Sequence, residues 1–205
     1  MTPQKRLFDI VAALGLLIVL SPILLGLCVA LLLTQGRPLF YVAERMKAPG
    51  VPFQLWKFRT MRVVAADRGV SGGDKSDRIT PMGHLMRRTR LDELPQLWNI
   101  LRGDISLVGP RPPLRQYVER FPDLYGRVLK SRPGVTGLAS LRFHRHEERL
   151  LAGCASVEET DAVYARRCVP RKAAFDLIYQ KNANLCFDIA ILWETLRAVI
   201  ARRKG

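Results

Sequence analysis

From Ile10 to Leu33 the chain carries no charged residue, and the dipeptide Ser21-Pro22 sits in the middle of that apolar run. Its roughly 24 residues would make about 36 Å of helix, enough to cross a bilayer. Proline removes a backbone donor and crowds the preceding turn, so it usually kinks a helix. Both flanks are cationic. Lys5 and Arg6 precede the run, and Arg37, Arg45, Lys47, Lys57, Arg59 and Arg62 follow it. Positive charge beside a membrane segment marks the cytoplasmic side. A single span puts one flank on the wrong side. A helix that enters, turns at Ser21-Pro22 and returns satisfies both, and the Ser hydroxyl could bond a carbonyl that the proline frees. On the residues alone, a re-entrant helix and a kinked span both stand.

The run is too long for a signal-peptide core, and no clean cleavage site follows it. The 33 Lys and Arg against 18 Asp and Glu, a formal charge of +15, imply an acidic partner: anionic lipid, a phosphorylated substrate or nucleic acid. The pattern lacks a helix-turn-helix, zinc or aromatic-platform signature, which argues against nucleic acid. Cys28, Cys154, Cys168 and Cys186 are widely spaced without a CxxC pair, as expected of reduced thiols in a cytoplasmic setting.

Beyond the run, two β-rich pieces flank Ala48-Pro49-Gly50 and predict a hairpin. Residues 66–77 form a polar, Gly-rich stretch expected to be a loop. From His84 to Arg102 apolar residues recur at helical spacing, and shorter helices are expected at 114–120 and 122–130, followed by a turn at RPGVTG. His144, His146, Glu147 and Glu148 read as a solvated helical start rather than a metal cluster. The final segment is apolar and ends in Arg202, Arg203 and Lys204, which suits an interfacial helix on an anionic membrane.

Chemistry concentrates between Arg87 and Pro112. Asp92 and Glu93 are adjacent acids with Pro95 just beyond, so a helix is expected to begin near Asp92. Arg87, Arg88, Arg90, Arg102 and Arg111 surround them. Two acids can hold Mg²⁺ against phosphate oxygens, and an ionised Asp can attack phosphorus directly. An N-cap acid among solvated charges would look the same. A glycosidase acid pair fits less well, because neighbours at a helix start do not face each other across a sugar.

The longer string closely resembles the bacterial sugar transferases, monotopic phosphoglycosyl transferases that act on a polyprenol phosphate carrier. The resemblance runs through KRLFDI before the apolar run, Ser21-Pro22 within it, and KFRTM at 57–61. It continues through DRITPMGHLMRRTRLDELPQLWNILRGDISLVGPRP at 77–112 and RPGVTGLA at 132–139. It implies an α+β, mainly helical protein: a re-entrant membrane helix over 1–36 and a small catalytic domain over 37–205, with a short β-hairpin and interfacial amphipathic helices. Lys5, Arg6, Ser21 and Pro22 would define membrane re-entry at the cytoplasmic face of the bacterial inner membrane. Asp92 would be the nucleophile that expels UMP from a UDP-sugar, and polyprenol phosphate would then take the sugar 1-phosphate. Glu93 would orient the site and, with Asp92, hold Mg²⁺. Arg87 would hold a phosphate or the acid pair, Arg111 would lie near the nucleotide's phosphates, and Lys57, Arg59 and Arg78 would also bind substrate. The resemblance implies membrane lipids as partners, no nucleic acid, and is compatible with a homodimer. After PGVTGLA the chain departs from many relatives, with Ser140 and LRFHRHEERLLAG. That segment could line the donor pocket.

Overall fold

The computed structural model describes residues 1–64 and 73–202. The expected loop at 66–77 therefore lies mostly outside the described residues, as do Arg203 and Lys204. The chain opens with helix α1 (Pro3–Gln35), with Pro3 in its first turn and the Thr2 hydroxyl accepting from the Lys5 amide. The helix continues through Pro22. Pro22 cannot donate to the Ile18 carbonyl, and the Ser21 hydroxyl takes that place at 2.8 Å. The dipeptide thus bends the hydrogen-bonding pattern without ending the helix.

Both ends of α1 are tied to the rest of the protein. Near its start, Lys5 pairs with Asp188, and Arg6 donates to the carbonyls of Ile100 and Leu101. Asp9 is fully buried and accepts from the Leu107 amide. At its other end Arg59 donates to the carbonyls of Gln35 and Gly36, and Leu31 packs with Phe58 and Met86. Between these anchors Leu14, Leu16, Ile18, Val19, Ile23, Leu25 and Val29 are exposed.

The hairpin is present as β1 (Phe40–Ala48) and β2 (Val51–Phe58), antiparallel, with Gly50 at φ 71° in the turn. Helix α2 (Pro81–Thr89) follows, then a tight 3₁₀ turn over Leu91–Glu93, then α3 (Gln96–Arg102). The helical pattern expected over 84–102 is thus carried by two helices, and the α-helix expected to begin near Asp92 starts at Gln96, after the 3₁₀ turn. Arg90 adopts the left-handed conformation that closes α2, and Pro95 lacks the amide that would carry a helix from Leu91 onward.

Strand β3 (Ser106–Val108) precedes α4 (Arg115–Arg120) and α5 (Pro122–Val128), which match the two short helices expected. The RPGVTG segment is not merely a turn. It contains β4 (Gly134–Thr136), parallel to β3. The pairing needs glycine: a Cβ on Gly134 would lie 2.2 Å from the Gly109 nitrogen. Then come α6 (Leu138–Ala152), α7 (Val157–Val163), α8 (Val169–Asn182) and α9 (Leu185–Arg202). His144 to Glu148 lie in the middle of α6, not at its start.

Two main apolar clusters support these elements. One gathers Phe53 and Leu55 of β2 with Leu97, Ile100, Ile105, Leu107, Tyr179 and Ile191, and Ala13 of α1 joins it. The other joins Met46 to the helices from α4 through α8. Helix α9 buries Ile191 but exposes Leu185, Ile189, Trp193, Leu196 and Ile200, whose three- and four-residue spacing makes one apolar stripe.

Candidate active site

A cleft of about 1040 Å³ opens between the hairpin, α2, the 91–93 turn, the loop carrying Arg111, and helices α6 and α8. Local packing places its charged groups. Asn99 of α3 accepts from the Trp56 amide and donates to the Gln54 carbonyl, which fixes β2 and the neighbouring Lys57 against α3. Gly83 lets α2 press on the chain at Thr60, where a Cβ would meet the Thr60 carbonyl oxygen at 2.1 Å. That contact brings Arg87 close enough to donate to the Thr60 hydroxyl. The Arg111 loop is held by the Met46 amide on the Pro113 carbonyl and the Gly134 amide on the Pro110 carbonyl.

Glu93 is the hub. Its Oε1 accepts from Lys57 and from Arg111, each at 2.9 Å, with Arg90 3.6 Å away. Burial alone would raise this carboxyl, but Lys57, Arg111 and Arg90 hold it well below the usual carboxylate range. Glu93 in turn holds the Arg111 guanidinium charged, while burial draws the Lys57 ammonium down against the pull of Glu93.

Asp92 is equally buried, at 7% exposure, but its Oδ1 has no hydrogen-bond partner among the described residues. Burial pushes its carboxyl above the ordinary value and Glu93 adds to that, whereas Lys57, Arg87 and Arg90 oppose it. A desolvated carboxylate with an uncommitted oxygen is a better nucleophile than one in water. It is also an open position for a hard cation. Among the described residues no group of three or more His, Cys, Asp or Glu could hold a metal by itself. Mg²⁺ held here would have to be shared by one or two carboxylates with substrate phosphates and water, and Asp92 Oδ1 is the oxygen free to take it, because the Glu93 Oε1 is already shared by cations.

The structure brings Lys57, Arg87, Asp92, Glu93 and Arg111 to one cleft, and Arg78 also lines it. Arg59 borders the cleft, but its Nη2 is taken by the two carbonyls at the end of α1. Further groups not singled out from the sequence line the same space. Arg45 presents a buried Nη1 without a hydrogen-bond partner among the described residues, and burial with Arg111 nearby lowers its affinity for its proton. Lys172 of α8 donates to both oxygens of Glu147 at 3.0 Å and to the Tyr164 hydroxyl at 3.2 Å. Glu147 is thus engaged in an ion pair in the cleft wall rather than solvated. Together the groups make a strongly cationic trough around one uncommitted carboxylate, suited to a polyphosphate ester and to attack on phosphorus.

Comparison with known proteins agrees with this chemistry. The model of the bacterial sugar transferases matches residues 1–202. The chain is similar to the UDP-glucose:undecaprenyl-phosphate glucose-1-phosphate transferase of Escherichia coli K12, at 35% identity over 94% of this chain and 39% of that protein. It is also similar to the undecaprenyl-phosphate galactose phosphotransferase of Salmonella typhimurium, at 35% identity over 97% of this chain and 40% of that protein. A third relative is an uncharacterized sugar transferase, EpsL, of Bacillus subtilis, at 35% identity over 96% of this chain and 87% of that protein. The chain thus spans about two-fifths of the length of the first two relatives.

The two acids should respond oppositely to neutralisation. Glu93→Gln leaves the partly buried Lys57 and Arg111 without their shared counter-charge and should lower stability by about 2 kcal/mol. Asp92→Asn removes a desolvated charge whose Oδ1 has no hydrogen-bond partner among the described residues, so its unfolding midpoint should equal or exceed that of wild type. Thermal unfolding of the two variants in detergent checks the order, and a reversed order would contradict the division of roles.

Proposed function

The chain belongs to the bacterial sugar transferase family, and from that premise we propose that it moves a sugar 1-phosphate from a UDP-sugar to polyprenol phosphate and so begins assembly of a bacterial polysaccharide. The observation that carries this reading is the buried, unpartnered Asp92 carboxylate oxygen beside the cation-saturated Glu93.

In the first step an Asp92 oxygen attacks the β-phosphorus of the donor. A P–O bond forms to Asp92, and the bond from that phosphorus to the oxygen bridging the two phosphates breaks. The electron pair leaves with UMP, and a phospho-sugar remains on Asp92. In the second step an oxygen of polyprenol phosphate attacks the same phosphorus. Asp92 is released as a carboxylate, and the product is a polyprenyl diphosphate sugar. Arg111 and Lys57, fixed by Glu93, face the charge that builds on the phosphoryl oxygens, and Arg87 holds a donor phosphate. Mg²⁺ bound by Asp92 and Glu93 would supply further positive charge to those oxygens.

The membrane arrangement proposed is a re-entrant α1 with the rest of the chain on the cytoplasmic face of the inner membrane. Both ends of α1 bond to the same body, through Lys5–Asp188 at one end and Arg59–Gln35 at the other. A full span would carry one end to the far side of the bilayer and break one of those contacts. The exposed middle of α1 and the stripe on α9 supply the apolar surface that would enter the lipid.

Turnover should require both substrates. Purified protein with a UDP-sugar panel and undecaprenyl phosphate should release UMP continuously, and Asp92→Asn should abolish it. Retention of substantial turnover by that variant would sink the nucleophile assignment. Topology is tested separately. In a background without native cysteines, Gln4→Cys and Ala48→Cys should both resist a membrane-impermeant thiol reagent in intact cells and both react in inverted vesicles. Labelling of position 4 alone from outside would replace the re-entrant helix with a span.

A further inference from the structure

The cleft is not uniformly cationic. Its arginine-rich part, built by residues 62–88, is lined by Arg62, Arg78, Arg87 and Arg88, with no acid among the described lining residues of that stretch. The end built by α6 and α8 brings Glu147, Glu148 and Asp176 against Arg145 and Lys172. Lys172 is already neutralised by Glu147 through both carboxylate oxygens. Asp176 sits one helical turn beyond Lys172, is 7% exposed, lines the cleft, and makes no hydrogen bond or ion pair among the described residues. An acid this buried is normally paired. Burial pushes its carboxyl up to about 7, with only Lys172 opposing. Hydrogen-bond donors arriving with a ligand would satisfy it.

A UDP-sugar has the matching polarity: phosphates at one end and, beyond the β-phosphate, a ring of hydroxyls. A carboxyl group accepts hydrogen bonds from hydroxyls whether neutral or ionised, and its ionised form repels phosphates. Resting on the transferase reading above, we infer that the α6–α8 end of the cleft is the sugar subsite, where Asp176 and Glu147 accept from the donor's hydroxyls and select an uncharged sugar over an acidic one. The UDP moiety then lies toward the arginine-lined end, with the attacked phosphorus between the two, at Asp92. Lys172, itself steadied by the Tyr164 hydroxyl, is a positioning residue that holds the Glu147 carboxylate in place.

The test uses the full chain in nanodiscs with undecaprenyl phosphate, and UDP-glucose, UDP-galactose, UDP-N-acetylglucosamine and UDP-glucuronic acid as donors. Wild type should release UMP from at least one uncharged donor and strongly disfavour UDP-glucuronic acid. Asp176→Leu should lower kcat/KM for the preferred donor by about tenfold or more. Asp176→Asn, which keeps the shape and an acceptor, should lose less, and both variants should narrow the gap to UDP-glucuronic acid. Inhibition by UDP, which has no sugar, should stay within about twofold of wild type in both variants, which also reports an intact fold. An unchanged gap between the preferred donor and UDP-glucuronic acid, a matching loss of UDP affinity, or equal use of UDP-glucuronic acid by wild type would overturn the subsite while leaving the transferase activity standing. If wild type released UMP from no UDP-sugar, the transferase reading would fail and the subsite with it.

Discussion

A buried carboxylate shared by several cations organises this protein. Glu93 is reached from three directions: by Lys57 at the end of a strand, by Arg111 from a proline-rich loop, and by Arg90 from the residue that closes a helix. Each cation is desolvated to some degree, and each would be costly without its partner. The charges therefore hold their elements in register around the cleft. The adjacent Asp92 is carried into the same interior by the same turn, yet its Oδ1 receives none of the hydrogen bonds. One acid gathers the cations, and its neighbour keeps an oxygen without a hydrogen-bond partner among the described residues. That asymmetry is what a two-step phosphoryl transfer asks of an acid pair.

The long apolar helix is governed by contacts at its ends. Lys5 and Tyr179 both donate to the fully buried Asp188, which joins α1 to α8 and α9. Arg59 caps the carbonyls at the other end, a position where a cation also complements the helix dipole. The Ser21 hydroxyl serves the carbonyl that Pro22 deprives, so the proline leaves that carbonyl satisfied without water. The exposed stripe of α9 is a second apolar surface beside that of α1's middle. In the membrane arrangement proposed above, these surfaces would meet lipid while the cationic cleft takes a water-soluble donor.

Much of this was legible in the residues. The apolar run with two basic flanks, the turn at Ala48-Pro49-Gly50 and the motif around Asp92 each have a local signature. Longer-range features did not. Three-residue strands such as β3 and β4 show no periodicity, and their partners are more than twenty residues apart. The break at Arg90 needed a left-handed arginine, which no composition rule anticipates. Arg59 shares strand spacing with Lys57, but β2 ends at Phe58, and the arginine turns to α1 instead. Glu147, Lys172 and Asp176 look like ordinary helix-surface charges until α6 packs on α8. Only Asp176, an acid set within the apolar stretch AAFDLIY, carried a sign of burial.

The central claim is that Asp92 forms a covalent bond to phosphorus before the lipid acceptor arrives. Intact-protein mass spectrometry after rapid mixing with a turned-over UDP-sugar, in the complete absence of polyprenol phosphate, addresses it directly. The account predicts a gain equal to one sugar phosphate, localised by peptide mapping to Asp92 and discharged when polyprenol phosphate is added. An unmodified protein that nevertheless turns over once both substrates are present would show that the acceptor attacks the donor itself, and would contradict the covalent mechanism.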